Sequence, residues 1–456
     1  IDNSIENMHD PFLMKDMEKA VDQIIDSMMQ GESIRIIGDY DQDGIAATTI
    51  LVKGLRQFYD KVSYSIPDRM QDGYGLSINL VNMALEDGVN LLITCDNGIA
   101  AFEAIEYAIK NGIKVIITDH HQVIIEKEKQ KLPTANAIVN PSQIDCNYPF
   151  KKICGALVAY KLIFAIYMKY GEELGINKNK VVDLLQYAAL GTVTDVMDLV
   201  DENRIVVVEG LKILNNTTNI GLIELLEQLN WRKEIDVYTI GFVIGPTINA
   251  TGRLYTAKLA SELFLDNDIE NLRIYAQELI ALNNERKELT IKSVEKALND
   301  INNQELYKQD IIVLKDSSIH ESICGLVAGR IKEAYNKPVI VLTETTKNDK
   351  KFLKGSGRSI EAYDMHKNLT QLTDLFTAFG GHKMACGLTM PYENFEEFVN
   401  AVNFNSNLSN DDFVKIINID AALDFNHINF NLINEIEKLK PFGKGFEKPH
   451  FASKSV

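Results

Sequence analysis

Three short apolar runs near the start of the chain each stop at an acid. Ile34-Arg-Ile-Ile-Gly38 leads into Asp39, Asp41 and Asp43; Val89-Asn-Leu-Leu-Ile-Thr-Cys95 leads into Asp96; Ile113-Lys-Val-Ile-Ile-Thr118 leads into Asp119 and the pair His120-His121. Their length and their Ile and Val content predict strands. Further strands are expected at Val62–Pro67 and Ala137–Asn140, with helices near Ala46–Phe58, Leu76–Glu86 and Ala101–Asn111. This strand–helix alternation implies a parallel sheet covered by helices on both faces. From about Gly155 to Leu190 the pattern turns helical and ends at Gly191-Thr-Val-Thr-Asp195.

Residues 255–300 contain no Pro or Gly and carry the charged run Glu285-Arg-Lys-Glu288, which predicts long helices bridging to a second domain. That domain opens with a strand at Ile311–Leu314 and continues through Pro338–Leu342 to Phe379-Gly-Gly-His-Lys383. An acidic, Asn-rich stretch, Asn405–Asp412, marks a boundary, and Val414–Ile419 opens a third domain that is incomplete at Val456. The expected division is 1–254, 255–303, 304–404 and 412–456. The expected fold class is α/β: a parallel-sheet domain joined by a long helix to a smaller mixed α/β domain, with the beginning of a further domain.

Composition narrows the class. Hydrophobic residues at 46% and charged residues at 24% are ordinary globular values. No apolar run reaches the roughly 18 residues of a membrane span, and the first residues lack the order of a secretory leader. The five cysteines, at 95, 146, 154, 324 and 386, form neither a disulfide pattern nor a zinc pattern, so a cytoplasmic location is expected. The net charge of −17 argues against a protein that coats nucleic acid. It is compatible with a metal centre, which itself needs several acids.

In open α/β sheets, ligands bind at the carboxyl edge of the strands, and there the candidate chemistry collects. Asp39, Asp41 and Asp43 repel one another unless cations neutralise them; a solvated acidic turn or a helix N-cap is the alternative. Asp96 stands at the equivalent end of another strand, with an Asx-turn before Asn97-Gly98 as its alternative reading. His120 and His121 would point to opposite sides of an extended segment. A chain turning out of its strand would let one bind metal and aim the other at substrate. Asp195 alone reads as a turn or capping residue. Oxygen donors with imidazole and no thiolate suit Mn2+ or Mg2+, and acids sufficient for two ions suggest a two-metal centre acting at phosphorus. There is no GxxxxGK[ST] motif, which argues against a P-loop NTPase. In the second domain, Gly355-Ser-Gly-Arg-Ser359 and Gly380-Gly-His382 suit substrate loops, since Gly permits close backbone approach and Arg358 can hold phosphate. Ordinary tight turns are the alternative.

Taken in order, these motifs resemble the DHH phosphoesterase superfamily, and within it the RecJ single-stranded-DNA exonucleases. The resemblance runs through Asp10-Pro-Phe-Leu13, Gly38-Asp-Tyr-Asp-Gln-Asp-Gly44, Asp96-Asn-Gly98, Asp119-His-His121, Gly191–Asp195, Gly245–Leu254, Ile319–Arg330, Gly355–Ser359 and Phe379–His382. It implies a DHH domain, a DHHA1 domain and, from Lys440-Pro-Phe-Gly-Lys-Gly445 onward, the start of an oligonucleotide-binding (OB) domain. It implies two divalent cations, Mn2+ favoured or Mg2+, held by Asp39, Asp41, Asp43, Asp96, His120 and Asp195, with Asp96 bridging and His121 at the scissile phosphate. Asp96 and His121 are thus the expected catalytic pair. Arg69, Arg253, Ser356, Arg358 and His382 are expected to bind the 5′ end of single-stranded DNA, giving 5′→3′ release of mononucleotides in DNA repair and recombination.

A single-strand-binding protein and a helicase are the partners the resemblance implies. Three positions depart from the family pattern: Gln42, Ile319 and Thr247, the last of which predicts a weaker substrate contact. The partial third domain predicts weak binding of long strands. Two rival readings are a phosphoesterase acting on oligoribonucleotides or small nucleotides, and a non-catalytic replication scaffold of the same superfamily, which would have lost the metal ligands retained here.

Overall fold

The computed structural model describes every residue except 1, 2, 69–74, 127, 128, 255, 256, 348, 455 and 456. Five parallel strands, β1 (Ile34–Ile37), β2 (Val62–Ser65), β3 (Leu91–Cys95), β4 (Lys114–Thr118) and β7 (Ala137–Val139), form a sheet of order β2-β1-β3-β4-β7. Between β4 and β7 lies a small antiparallel hairpin, β5 (Ile124–Glu126) and β6 (Lys129–Lys131). The strands read as near-continuous apolar runs because helices cover both faces. Ile34, Ile36, Leu91, Ile93 and Ile116 pack on one side with helices Met17–Met29, Gln42–Leu55, Gly155–Tyr170 and Leu185–Thr194. Their sequence neighbours Ile37, Leu92, Val115 and Ile117 pack on the other with helices Ile78–Glu86 and Phe102–Lys110. The direction of the crossovers reverses between β1 and β3. That switch point is the standard ligand position of the doubly wound sheet.

The chain divides into two units, 1–283 with 419–456, and 284–418. Helix Ile269–Asn303 contains the boundary. In the second unit β8 (Ile312–Lys315), β9 (Val339–Lys347), β10 (Lys350–Arg358), β11 (Ala378–His382) and β12 (Ala385–Pro391) form a mixed sheet of order β11-β12-β10-β9-β8. Only β8 and β9 run parallel, joined through helix Cys324–Tyr335. Apolar residues on alternate strand positions again feed two cores, one around Phe398, Leu353 and Leu388 and one around Val327, Ile331 and Val341. Segment 419–456 adds helix Phe430–Glu437 and the short parallel pair β13 (Ala421–Ala422) and β14 (Phe451–Ala452).

Two expected departures are plain in this fold. Thr247 is buried, donates to the Val243 carbonyl and accepts from Asn283 Nδ2 at 3.0 Å, so its side chain is committed to helix packing rather than to a substrate surface. Ile319 lies in an apolar core of the second unit. Among the described residues no helix is long and apolar enough to cross a membrane.

Candidate metal centre

Each acid is placed by a local backbone feature. Asp39 follows β1 and is buried. Asp41 is the N-cap of helix Gln42–Leu55, its Oδ1 accepting from the N–H groups of Asp43 (2.9 Å) and Gly44 (3.1 Å). The capping and ligand readings are therefore compatible, because a cap uses only one oxygen. The helix starts earlier than the apolar pattern predicted, and it draws Asp43 into its first turn. Asp43 accepts from Gly155 N at 2.7 Å and Ala156 N at 3.0 Å, at the start of helix Gly155–Tyr170, where the helix dipole favours a carboxylate. Asp96 follows β3 in a left-handed conformation, φ 61°. The next residue fixes this turn: Asn97 Nδ2 donates to the carbonyls of Ile37 and Cys95, and its Oδ1 accepts from Leu76 N. Asp195 caps the C-terminal end of helix Leu185–Thr194.

These stretches converge. Ligand-type atoms of Asp39, Asp41 and Asp96 lie within 4.8 Å of one another, as do those of Asp43, His120 and Asp195, and those of Asp96, His120 and His121. His120 Nε2 is 3.1 Å from Asp96 Oδ1 and 3.8 Å from both Asp43 Oδ2 and Asp195 Oδ2. The packing leaves no room for a side chain beside the acids: a Cβ at Gly155 would lie 2.5 Å from the Asp96 side chain, and one at Gly191 would lie 2.2 Å from Asp43 Oδ1.

After Thr118 the chain turns. The two imidazoles sit 4.5 Å apart between centroids at 55°, so they do not project to opposite sides as an extended segment would require. Asp119, to which sequence reasoning assigned no role, orients this turn. Its Oδ1 accepts from His120 N, His121 N and His121 Nδ1, and its Oδ2 from Ile99 N. Asn140 Nδ2 and Ser142 Oγ hold the carbonyls of His121 and His120. The motif contained Asp119, but only the folded turn separates a ligand from an orienting carboxylate.

Electrostatics favour a cation here. Burial, then repulsion from Asp41, pushes the Asp39 carboxyl well above the usual range; burial, then Asp43, does the same for Asp96. Asp41 is also raised, by burial and by Asp43. Asp195 is pushed up to about 8 by burial and by Asp43 and Asp41. Burial lowers His120, which leaves a neutral imidazole suited to ligation. Burial also works against a charged His121, but its hydrogen bond and charge interaction with Asp119 lift it to about 9. Asp39 Oδ1 is buried and has no hydrogen-bond partner among the described residues. Crowded carboxylates held near one neutral imidazole fit hard divalent cations. His121 and Asp119 also line an open cleft of about 1090 Å3, with Gly98, Ile99, Phe102 and Lys131.

In the second unit, Ser356 and Arg358 alternate with buried Gly355 and Gly357 along β10. Arg358 pairs in register with Ala385, which pairs with His382, so the three form one row across three strands. Ser356 pairs with Gly387 and Gly387 with Gly380; a Cβ at either glycine would meet nothing, which leaves an open floor. Gly325, near the start of helix Cys324–Tyr335, makes room for the guanidinium: a Cβ there would lie 2.6 Å from Arg358 Nη2. Arg69 lies outside the described residues, and so does the side chain of Arg253 on helix Thr251–Leu254.

The parallel sheet, its switch-point acids and the separate mixed-sheet unit define a DHH/DHHA1 protein. The family descriptions that match agree: "DHH family, N-terminal domain" over residues 33–192, "DHHA1 domain" over 308–404 and "RecJ OB domain" over 419–456. The single-stranded-DNA-specific exonuclease RecJ of Haemophilus influenzae is 34% identical, over 99% of this chain and 80% of its own length. That of Bacillus subtilis is 34% identical over 97% of this chain and 55% of its own. The crystal structure of RecJ from Thermus thermophilus in complex with Mn2+ superposes with a TM-score of 0.82 at 30% identity, covering 96% of this chain and 62% of that one. This chain belongs to the RecJ family. It spans little more than half of the Bacillus relative and about three fifths of the Thermus chain.

Proposed function

We propose that this protein is a metal-dependent 5′→3′ exonuclease that hydrolyses single-stranded DNA to 5′-mononucleotides in DNA repair and recombination. The observation that carries the reading is the convergence of Asp39, Asp41, Asp43, Asp96, His120 and Asp195 at the sheet's switch point, in a chain of this family. In this reading those residues would hold two divalent cations, Mn2+ or Mg2+. Bound cations supply charge neutralisation at the scissile phosphate and acidify the attacking water. His121, oriented by its hydrogen bond to Asp119, contacts a phosphate oxygen from the wall of the cleft. Arg358, Ser356 and His382 hold the 5′-terminal phosphate; an Arg is suited to this by its paired, always-charged donors. Retention of every ligand candidate weighs against a non-catalytic scaffold. A cytoplasmic setting with a single-strand-binding protein and a helicase as partners follows from the family resemblance.

The test uses internally labelled single-stranded DNA, with and without a 5′ phosphate, incubated with Mn2+ or with chelator. Metal-dependent release of mononucleotides from the 5′ end is expected. Inert DNA alongside rapid cleavage of short RNA would overturn the substrate and leave the metal centre standing.

A further inference from the structure

Asp195 is followed by Val196 at φ 56°. A β-branched residue in the left-handed region is an outlier, and such a conformation persists only where its surroundings over-determine it. Part of the support is local: Val196 N donates to Val193 O, and Met197 N to Thr192 O. The rest comes from about 250 residues further along. Lys444 Nζ donates to the Val196 carbonyl at 2.9 Å and lies 3.5 Å from Asp198 Oδ1, while the Lys444 carbonyl accepts from Leu199 N at 2.7 Å. The loop leaving Asp195 is thus gripped at Val196, Asp198 and Leu199 by one residue.

The gripping turn is itself built and anchored. Gly443 and Phe446 exchange backbone hydrogen bonds at 3.0 and 3.1 Å. A Cβ at Gly443 would lie 2.6 Å from Leu199 Cδ1, and one at Gly445, itself at φ 72°, would lie 2.9 Å from Asp198 Cβ, so the two glycines let the turn pack closely against this loop. Arg204, buried on helix Asp201–Leu214, donates to the carbonyls of Leu439, Lys440 and Pro441 at 2.6 to 3.2 Å and stacks 4.0 Å from the Phe446 ring. One residue earlier, Asn203 Nδ2 donates to the Asp198 carbonyl at 3.0 Å. The first turn of a single helix therefore holds both the loop and the turn that grips it.

We propose that the turn 440–446 is a positioning device for Asp195, with Lys444 as the positioning residue and Arg204 as its anchor. Asp41 and Asp43 are oriented by backbone N–H groups at helix starts. Asp195 sits at a helix C-terminus, where the dipole opposes a carboxylate; its placement depends on the strained loop, and the loop depends on the turn. The segment matching the RecJ OB domain thereby becomes part of the metal centre's support, in addition to any contact it makes with DNA. This inference rests on the two-cation reading above.

The experiment measures Mn2+ binding to the full chain by calorimetry and by the paramagnetic resonance of bound Mn2+, for wild type, Asp195→Asn, Lys444→Met, Lys444→Arg and Arg204→Met. Lys444 is more than half exposed, so its variants are expected to fold. Lys444→Met should weaken one of the two Mn2+ ions by about 10-fold, as loss of an outer support for a ligand does, in the direction of Asp195→Asn. Lys444→Arg, which keeps a donor for the Val196 carbonyl, should recover most of the loss. Unchanged Mn2+ affinity in Lys444→Met overturns the proposal, as does a loss of DNA cleavage with both ions still bound as in wild type. Wild type that fails to bind two ions would instead overturn the two-cation reading itself.

Discussion

The Asp119 carboxylate and the His121 imidazole meet at 2.7 Å, and three of the four donors that Asp119 accepts come from the two histidines that follow it. Asp119 is thus an orienting group in a chain where five other acids, Asp39, Asp41, Asp43, Asp96 and Asp195, are the candidate ligands. Supporting groups of this kind typically alter affinity or activity 10- to 100-fold when changed. Asp119→Asn is expected to lower kcat by about that factor while leaving the number of bound Mn2+ ions at the wild-type value. Steady-state kinetics with metal titration decides it; loss of both ions would make Asp119 a ligand.

Gly191 offers a test of packing without removing any ligand. A Cβ there would lie 2.2 Å from Asp43 Oδ1 and 2.6 Å from Ala156 Cβ. Overpacking of this kind costs roughly 1–3 kcal/mol, and here the displaced atom is a candidate ligand. Gly191→Ala should lower both the thermal midpoint and Mn2+ affinity. A variant with wild-type metal binding would show that Asp43 is free to move aside.

Arg358 should discriminate between DNA ends. Its guanidinium lies against the first turn of helix Cys324–Tyr335, in the row that reaches His382. Arg358→Lys keeps the charge but loses the bidentate fork. It should raise KM for 5′-phosphorylated strands by roughly 10-fold, the equivalent of about 1.4 kcal/mol, and do so much less for 5′-hydroxyl strands. Equal effects on both would move the terminal-phosphate site elsewhere.

Asp316 predicts a pH effect on stability. Burial opposes its charge, but hydrogen bonds from Lys296 Nζ and from Ser318 Oγ and N, at 2.7 to 2.8 Å, outweigh burial and hold the carboxyl below its usual range. A depressed acid contributes stability above its unfolded pKa of about 3.9, and that contribution is lost as pH falls through the folded value. Asp316→Asn should therefore destabilise the protein by about 1–3 kcal/mol near neutral pH and by clearly less near pH 3. Urea unfolding at the two pH values tests this; an equal loss at both would assign the effect to packing.

Much of the architecture was legible because parallel strands covered on both faces read as near-continuous apolar runs. β1, β3 and β4 were therefore visible as runs, and the residues at their ends could be read as edge residues. Helix Gln42–Leu55 was read four residues late, since its N-cap Asp41 and its first residues, Gln42-Asp43-Gly44, break the apolar pattern and carry two acids of the centre. The second unit was harder to read. β10 is rich in lysine and glycine and runs nine residues with only alternate burial, so its substrate-loop motif turned out to be the end of a strand.

By itself the sequence determined which acids stand at strand ends, that oxygen and imidazole donors outnumber any thiolate set, and the order of motifs that marks the family. Those are properties of composition and local periodicity. The tertiary structure alone decided that Asp41 and Asp43 also serve as a helix cap and a helix-dipole partner, that Asp119 supports His121, and that His382, Ala385 and Arg358 share a row. It alone brought Lys444 to the loop behind Asp195. Such contacts join residues far apart in the chain, and nothing in local periodicity encodes which distant backbone will close on which; that is settled only when the buried faces pack.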